Sequence, residues 1–171
     1  MFRCYENVVY PGHGVARISR IVEKKIGGVL TTFYELVFLS KEVTVLVPTE
    51  NASVVGLRSL SSPESVEVVF SILAQPSSYE RCPEFSASSW NKRNKGYQLK
   101  LRTGSLQELS EIYRDLRIVE EHKPLSFGEK NLLSQAEALL VEEISLVKKI
   151  EQDAVAEKLR NCYQQNKHVH L

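Results

Sequence analysis

The hydrophobic pattern of the chain changes its period at Ser62, and this change limits the folds that the chain can adopt. Before Ser62, short runs of β-branched and aromatic residues alternate with turn residues, which is typical of strands. After Ser62, apolar residues recur at intervals of three and four, the spacing of amphipathic helices. We therefore predict an α+β fold that is segregated by domain. A small antiparallel Tudor/SH3-like β barrel is followed by an all-α helical domain.

The first predicted domain covers residues 1–58 and contains five short strands. The Gly27-Gly28 pair predicts a tight hairpin, because glycine adopts the positive φ that a primed turn requires. Pro48 ends the fourth run of strand-forming residues. The strands are predicted at residues 7–10, 15–22, 31–38, 43–47 and 53–57.

The second predicted domain covers residues 59–171 and contains about four helices. Ser62 and Ser89 are predicted N-caps, and two capping boxes are predicted at 105–108 and 126–129. The helices are predicted at 63–75, from 90 to about 101, from 105 to about 122, and from 126 through Ile150 toward Leu159. Residues 76–88 are predicted to form a loop, and the polar residues 164–171 a frayed end.

The composition is that of a globular protein, with 43% hydrophobic and 25% charged residues. The longest apolar runs, such as 43–47, are far shorter than the roughly 20 residues of a membrane helix, and no signal peptide is visible. The three cysteines are widely spaced and fit a reducing compartment. We therefore expect a cytoplasmic protein that does not bind a membrane.

No motif for catalysis stands out. The serines and cysteines lack a nucleophile-elbow context, and no set of cysteines and histidines has the spacing of a zinc site. We therefore predict that the protein is not an enzyme, and that it has no catalytic residues, no metal and no cofactor.

The stretch 90–102 is the strongest candidate for a binding site. It contains the only tryptophan, five basic residues and no acidic residue. Leu99 and Leu101 alternate with Lys100 and Arg102, which predicts that the basic residues near the helix end point outward. An indole among cations suits a minor-groove wedge or a platform for a single-stranded base. Composition alone favours a third interpretation, in which Trp90 packs between the two domains and the basic residues form a solvated face.

Six motifs, in order along the chain, resemble the CarD/CdnL family of bacterial transcription regulators. The N-terminal domain of this family is similar to the RNA-polymerase-interacting domain of transcription-repair coupling factor. The resemblance covers about residues 5–155. The motifs lie at residues 8–16, 45–52, 55–58, 90–95, 114–116 and 125–130.

The resemblance implies two partners. The barrel would bind the RNA polymerase β subunit, and the helical domain would bind promoter DNA at the fork junction on the upstream edge of the bubble, without sequence specificity. Trp90 would wedge into the minor groove, while Lys92, Arg93 and Lys95 would contact the DNA backbone. The protein would thereby stabilise the open promoter complex, and we expect it to be a monomer when free. The alternative is a protein–protein adaptor without direct DNA contact.

The residues that would hold the polymerase are less clearly indicated. Some relatives carry arginines at the positions of Lys24 and Leu46, and lysine does not reproduce the bidentate fork of arginine. Val45, Val47 and Pro48 are further candidates beside Leu46. Alternatively, exposed backbone of an edge strand would pair with the polymerase.

Overall fold

The computed structural model describes residues 1–75 and 87–167. The chain divides into two compact units, Met1–Leu60 and Ser61–Leu171. The first unit is a sheet and the second is helical, so the predicted fold class is confirmed. In the described part of the chain, no helix is both long enough and apolar enough to cross a membrane.

The first unit is one five-stranded antiparallel sheet with the strand order β4-β3-β2-β1-β5. The strands are β1 (Asn7–Tyr10), β2 (Gly14–Ile26), β3 (Val29–Phe38), β4 (Thr44–Pro48) and β5 (Arg58–Ser59). Alternate side chains of the sheet pack with residues of the segment after β4 to form the core. The core residues are Val8, Ala16, Ile18, Tyr34, Leu36, Phe38, Val47, Ala52 and Leu57.

The predicted hairpin between the two longest strands is confirmed. Ile26 pairs with Val29, which leaves Gly27 and Gly28 as a two-residue connection. Their φ angles are +58° and +86°, as a primed hairpin turn requires at both positions. The two glycines allow this tight turn, and the turn sets the register of β2 against β3.

The predicted fifth strand at 53–57 is wrong. These residues form turns, and their backbone groups bond locally, with Val55 N–H donating to Asn51 C=O at 3.0 Å and Leu57 N–H to Ala52 C=O at 2.9 Å. The fifth strand is the two-residue β5, which pairs with β1. Apolar residues of this segment pack into the core from a turn. The spacing of apolar residues in the sequence does not distinguish such a turn from a short strand.

The second unit contains five helices among its described residues. They are α1 (Pro63–Leu73), α2 (Ala87–Thr103), α3 (Leu106–His122), α4 (Phe127–Lys148) and α5 (Gln152–Lys167). One apolar cluster joins them. Its largest fully buried side chains include Leu73, Ile112, Tyr113, Leu116, Leu140, Ile144 and Leu159.

The predicted long fourth helix is wrong, because it is two helices. Lys149 adopts the left-handed conformation (φ 56°) and ends α4, and the N–H of Ile150 bonds back to Ser145 C=O at 3.1 Å. The apolar stripe continues across this break, so periodicity alone did not reveal it. Helix α5 continues to Lys167, so the backbone of residues 164–167 is helical. Residues 168–171 lie outside the described part of the chain.

Two predicted helix caps are confirmed. The hydroxyl of Ser62 accepts a bond from Ser65 N–H at 3.3 Å. At α4, Ser126 Oγ accepts from Glu129 N–H at 3.3 Å, while Glu129 Oε2 accepts from Ser126 N–H at 2.9 Å. This reciprocal pair satisfies two backbone donors that the helix itself leaves unbonded.

The other two predicted caps are wrong. Helix α2 begins at Ala87, so Ser89 lies within its first turn and the loop predicted at 76–88 is shorter at that end. The rest of that predicted loop, 76–86, lies outside the described residues. Ser105 is the N-cap residue of α3, but its side chain makes no cap bond. The reciprocal bond of the capping box is also missing, since the Ser105 N–H and the Glu108 carboxylate both bond to the hydroxyl of Thr103.

Candidate nucleic-acid interface

Helix α2 places the tryptophan at the margin of the helical core. The helical period brings Trp90, Arg93, Tyr97 and Leu101 to one side of the helix. Tyr97 and Leu101 are buried, and the indole is half-buried and packs against the same apolar cluster. Trp90 therefore packs with the core through part of its surface and leaves the rest open to a ligand.

Among the residues that the structure describes, Tyr97, Arg93 and Gly128 lie beside the indole of Trp90. The ring of Tyr97 lies 6.4 Å away between centroids, tilted by 46°, and the guanidinium carbon of Arg93 lies 6.0 Å from the ring centroid. The indole also packs against Gly128 in the first turn of α4. Contacts from two helices therefore hold its orientation.

Arg93, which the resemblance assigns to the DNA backbone, faces into the helical unit. Its side chain is only 7% exposed, and its Nη2 atom donates to Glu129 Oε1 at 3.3 Å. Arg93 follows Trp90 by three positions, so it faces the same side of α2. Its guanidinium bonds inside the domain and supports the tryptophan.

The carboxylate of Glu129 is the shared acceptor of this arrangement and is 1% exposed. One oxygen accepts from Arg93, and the other accepts from Lys123 Nζ at 2.8 Å as well as from Ser126 N–H. Burial alone would raise the pKa of Glu129. The hydrogen bonds from Lys123 and Ser126 outweigh burial and lower the pKa below its usual value.

The outer side of α2 carries the exposed cations. Lys92 and Lys95 are three positions apart and exposed, and Arg102 is also exposed near the end of the helix. Of the two basic residues predicted to point outward near the helix end, Arg102 is exposed but Lys100 is not, since residues of a helix do not alternate between two faces. Leu99 is 63% exposed, whereas Lys100 is partly buried and donates to Glu111 at 2.7 Å.

The first turn of α4 supplies residues that the sequence analysis did not place at this site. Gly128 and Glu129 contact Trp90 and Arg93, respectively. Phe127 is 80% exposed, and Lys130 is exposed on the same turn. The family motif at 125–130 marked this turn in the sequence, but its position beside α2 is known only from the folded structure.

The residues predicted to hold the polymerase separate into two groups. Val47 is buried, and Val45 packs against the core, so the sheet's own interior occupies both side chains. Leu46 and Pro48 are partly buried, and Lys24 is exposed. Leu46 lies opposite Glu35 of β3, on the face of the sheet that points away from the core.

An arginine that the sequence did not single out lies on this outer face. Arg20 of β2 pairs opposite Glu35 and forms a bidentate ion pair with it, with nitrogen–oxygen distances of 2.9 to 3.1 Å. The hydrogen bonds from Arg20 and Ser19 lower the pKa of Glu35, and the charge of Lys24 adds to the effect. Leu46, Glu35 and Arg20 thus form one row across three strands.

Comparison with known proteins identifies the family. The model of the CarD C-terminal domain matches residues 68–160, more than half of the chain, and the model of the CarD-like/TRCF RID domain matches residues 2–61. This chain belongs to the CarD family. A relative from Bacillus subtilis (strain 168), named "Putative transcription factor YdeB", is 29% identical over 150 residues, which cover 88% of this chain and 94% of the relative. The CarD-family protein described here is therefore a transcription regulator whose N-terminal unit is of the class that interacts with RNA polymerase.

We predict that Glu129→Gln destabilises the helical unit by about 3 kcal/mol at neutral pH, because it removes the charge that compensates a buried arginine. The lowered pKa of Glu129 gives a stability contribution that is present above the unfolded value of about 4.3 and is lost as pH falls through the folded value. The difference between wild type and variant should therefore shrink below about pH 4.

Urea unfolding followed by the fluorescence of Trp90 measures this difference between pH 3 and pH 7. Glu120→Gln is the matched control, because Glu120 also pairs with an arginine but is 46% exposed. It should change the free energy of unfolding by less than about 1 kcal/mol. Equal effects of the two substitutions at pH 7 would contradict the assigned role of Glu129.

Proposed function

We propose that this protein binds the RNA polymerase β subunit through its sheet and promoter DNA, at the upstream edge of the bubble, through its helical unit. In this way it stabilises the open complex. The observation that carries the proposal is the half-buried indole of Trp90 on a helix whose outer face presents Lys92 and Lys95. These residues lie in the part of the chain that matches the CarD C-terminal domain.

The DNA contact follows from the chemistry of these side chains. Lys92 and Lys95 would bind phosphates, which supply affinity without reading sequence. The indole of Trp90 would wedge against a base step at the distorted fork, where unstacking costs least. We assign no phosphate contact to Arg93, because its guanidinium bonds to Glu129.

A protein of this kind needs no catalytic step to affect transcription. If it binds melted fork DNA more tightly than closed duplex, it shifts the closed-to-open equilibrium by the ratio of the two affinities. A preference of about 1.4 kcal/mol changes that equilibrium tenfold. Binding to the polymerase raises the local concentration of the helical unit at the fork, so a weak DNA contact is sufficient.

The polymerase contact is proposed for the free edge of β4. Strand β4 lies at one end of the sheet order. Phe38 N–H bonds to Val43 C=O, and the alternation of an antiparallel ladder then directs the N–H and C=O of Leu46 away from β3. This edge would accept a strand of the β subunit, with Leu46 and Arg20 on the adjoining outer face.

We predict that Trp90→Ala shortens the lifetime of the open complex about tenfold relative to wild type, because a stacked or wedged aromatic ring contributes on the order of 1–3 kcal/mol. The lifetime is measured with purified polymerase on a promoter fragment after a competitor is added. A variant that prolongs the lifetime as well as wild type does would contradict the proposed wedge.

A second variant, measured by its binding to fork-junction DNA, separates the proposal from the adaptor alternative. Lys92→Gln with Lys95→Gln should weaken binding to fork-junction DNA and reduce the dependence of the affinity on salt by about two counterions. The exposed side chains of Leu99 and Phe127 are what favour a protein partner instead. An adaptor would show no fork binding at low salt and no effect of the two lysine substitutions.

We predict that Leu46→Pro weakens binding to a β-subunit fragment about tenfold, because it removes one outward N–H from the free edge without removing a bond to β3. Leu46→Ala keeps that N–H and is the matched control. Calorimetric titration of the fragment compares the two variants, with far-UV circular dichroism as a check on folding. If Leu46→Ala weakens binding as much as Leu46→Pro does, a side-chain contact and not strand pairing holds the polymerase.

A further inference from the structure

Gly128 is a helical glycine whose backbone does not require glycine. It lies in the first turn of α4, and it is absent from the glycines with positive φ, which are Gly12, Gly14, Gly27, Gly28, Gly56 and Gly104. Glycine inside a helix costs roughly 0.5–1 kcal/mol relative to alanine. The backbone therefore gives no reason for glycine at this position, and the remaining reason is the space left by the missing side chain.

That space is occupied by the indole of Trp90. A Cβ atom added to Gly128 would lie 3.2 Å from Cζ2 of Trp90, and 3.7 Å from both Cε2 and Nε1. The optimal separation of two carbon atoms is about 3.5–4.0 Å. A methyl group at this position would therefore push the half-buried indole away by a few tenths of an ångström.

The same turn of α4 also supports the indole through Arg93. Glu129 follows Gly128 and binds Arg93, whose guanidinium carbon lies 6.0 Å from the indole ring centroid. We propose that Gly128 is a positioning residue, which fixes the direction in which Trp90 projects from the helical unit. Its consequence for DNA binding rests on the proposed function. A side chain that is already ordered loses less entropy when it binds.

The test uses Gly128→Ala in the full-length chain, with Gly96→Ala as the matched control. A Cβ atom at Gly96 of α2 would have no atom within 4 Å, so the control makes the same chemical change in open space. Because the chain has one tryptophan, its fluorescence reports on this indole alone. Gly128→Ala should shift the emission to longer wavelength and increase quenching by acrylamide, whereas Gly96→Ala should change neither.

The affinity for fork-junction DNA is the second readout. Gly128→Ala should bind about 3- to 10-fold more weakly than wild type, since the indole must be ordered on binding. The urea midpoint should change little, because the preference of alanine for the helix offsets the apolar contact that the displaced indole loses. A loss of affinity without a loss of stability is a result that a purely structural role does not produce.

The outcomes distinguish this inference from the proposed function. Unchanged emission in Gly128→Ala overturns the inference, whatever happens to DNA binding. Shifted emission with unchanged fork affinity, while Trp90→Ala still loses affinity, also overturns it, because the direction of the indole would not matter. If Trp90→Ala itself binds the fork as wild type does, the proposed DNA contact fails, and the emission of Gly128→Ala still decides whether Gly128 positions the indole.

Discussion

The buried carboxylate of Glu129 is the interaction on which the helical unit's candidate site depends. It caps α4 through Ser126, holds Lys123 from the end of α3, and binds Arg93 of α2. A buried charge is tolerated only when it is paired and hydrogen-bonded, so each of these partners is needed by the others. The result is that three helices meet at one residue, beside the side chain that we propose as the DNA wedge.

The sequence predicted the fold well where local chemistry and global packing agree. The glycine pair at 27–28 and the capping box at Ser126 are short-range signals, and both were confirmed. The strand predicted at 53–57 and the single long fourth helix were wrong for a shared reason. In both cases the apolar spacing was read correctly, but apolar residues can enter a core from a turn or continue across a break at a left-handed residue such as Lys149.

The candidate site was only partly predictable. The tryptophan and the two exposed lysines could be selected from residue type and spacing, whereas the inward position of Arg93 could not, since its partner is 36 residues away. Likewise, the row formed by Leu46, Glu35 and Arg20 depends on strand register. The structure thus separates the basic stretch into a support, Arg93, and an exposed face, Lys92 and Lys95. Composition treats these residues as equivalent.

The central claim is that the indole of Trp90 touches the melted edge of promoter DNA. Titration of the wild-type protein with fork-junction DNA, followed by its single-tryptophan fluorescence, tests this claim most directly. A base stacked on or beside the indole quenches its emission, so we expect saturable quenching by fork DNA at low salt and much weaker quenching by fully paired duplex. Unchanged emission under conditions in which the anisotropy of labelled fork DNA reports full binding would contradict the account.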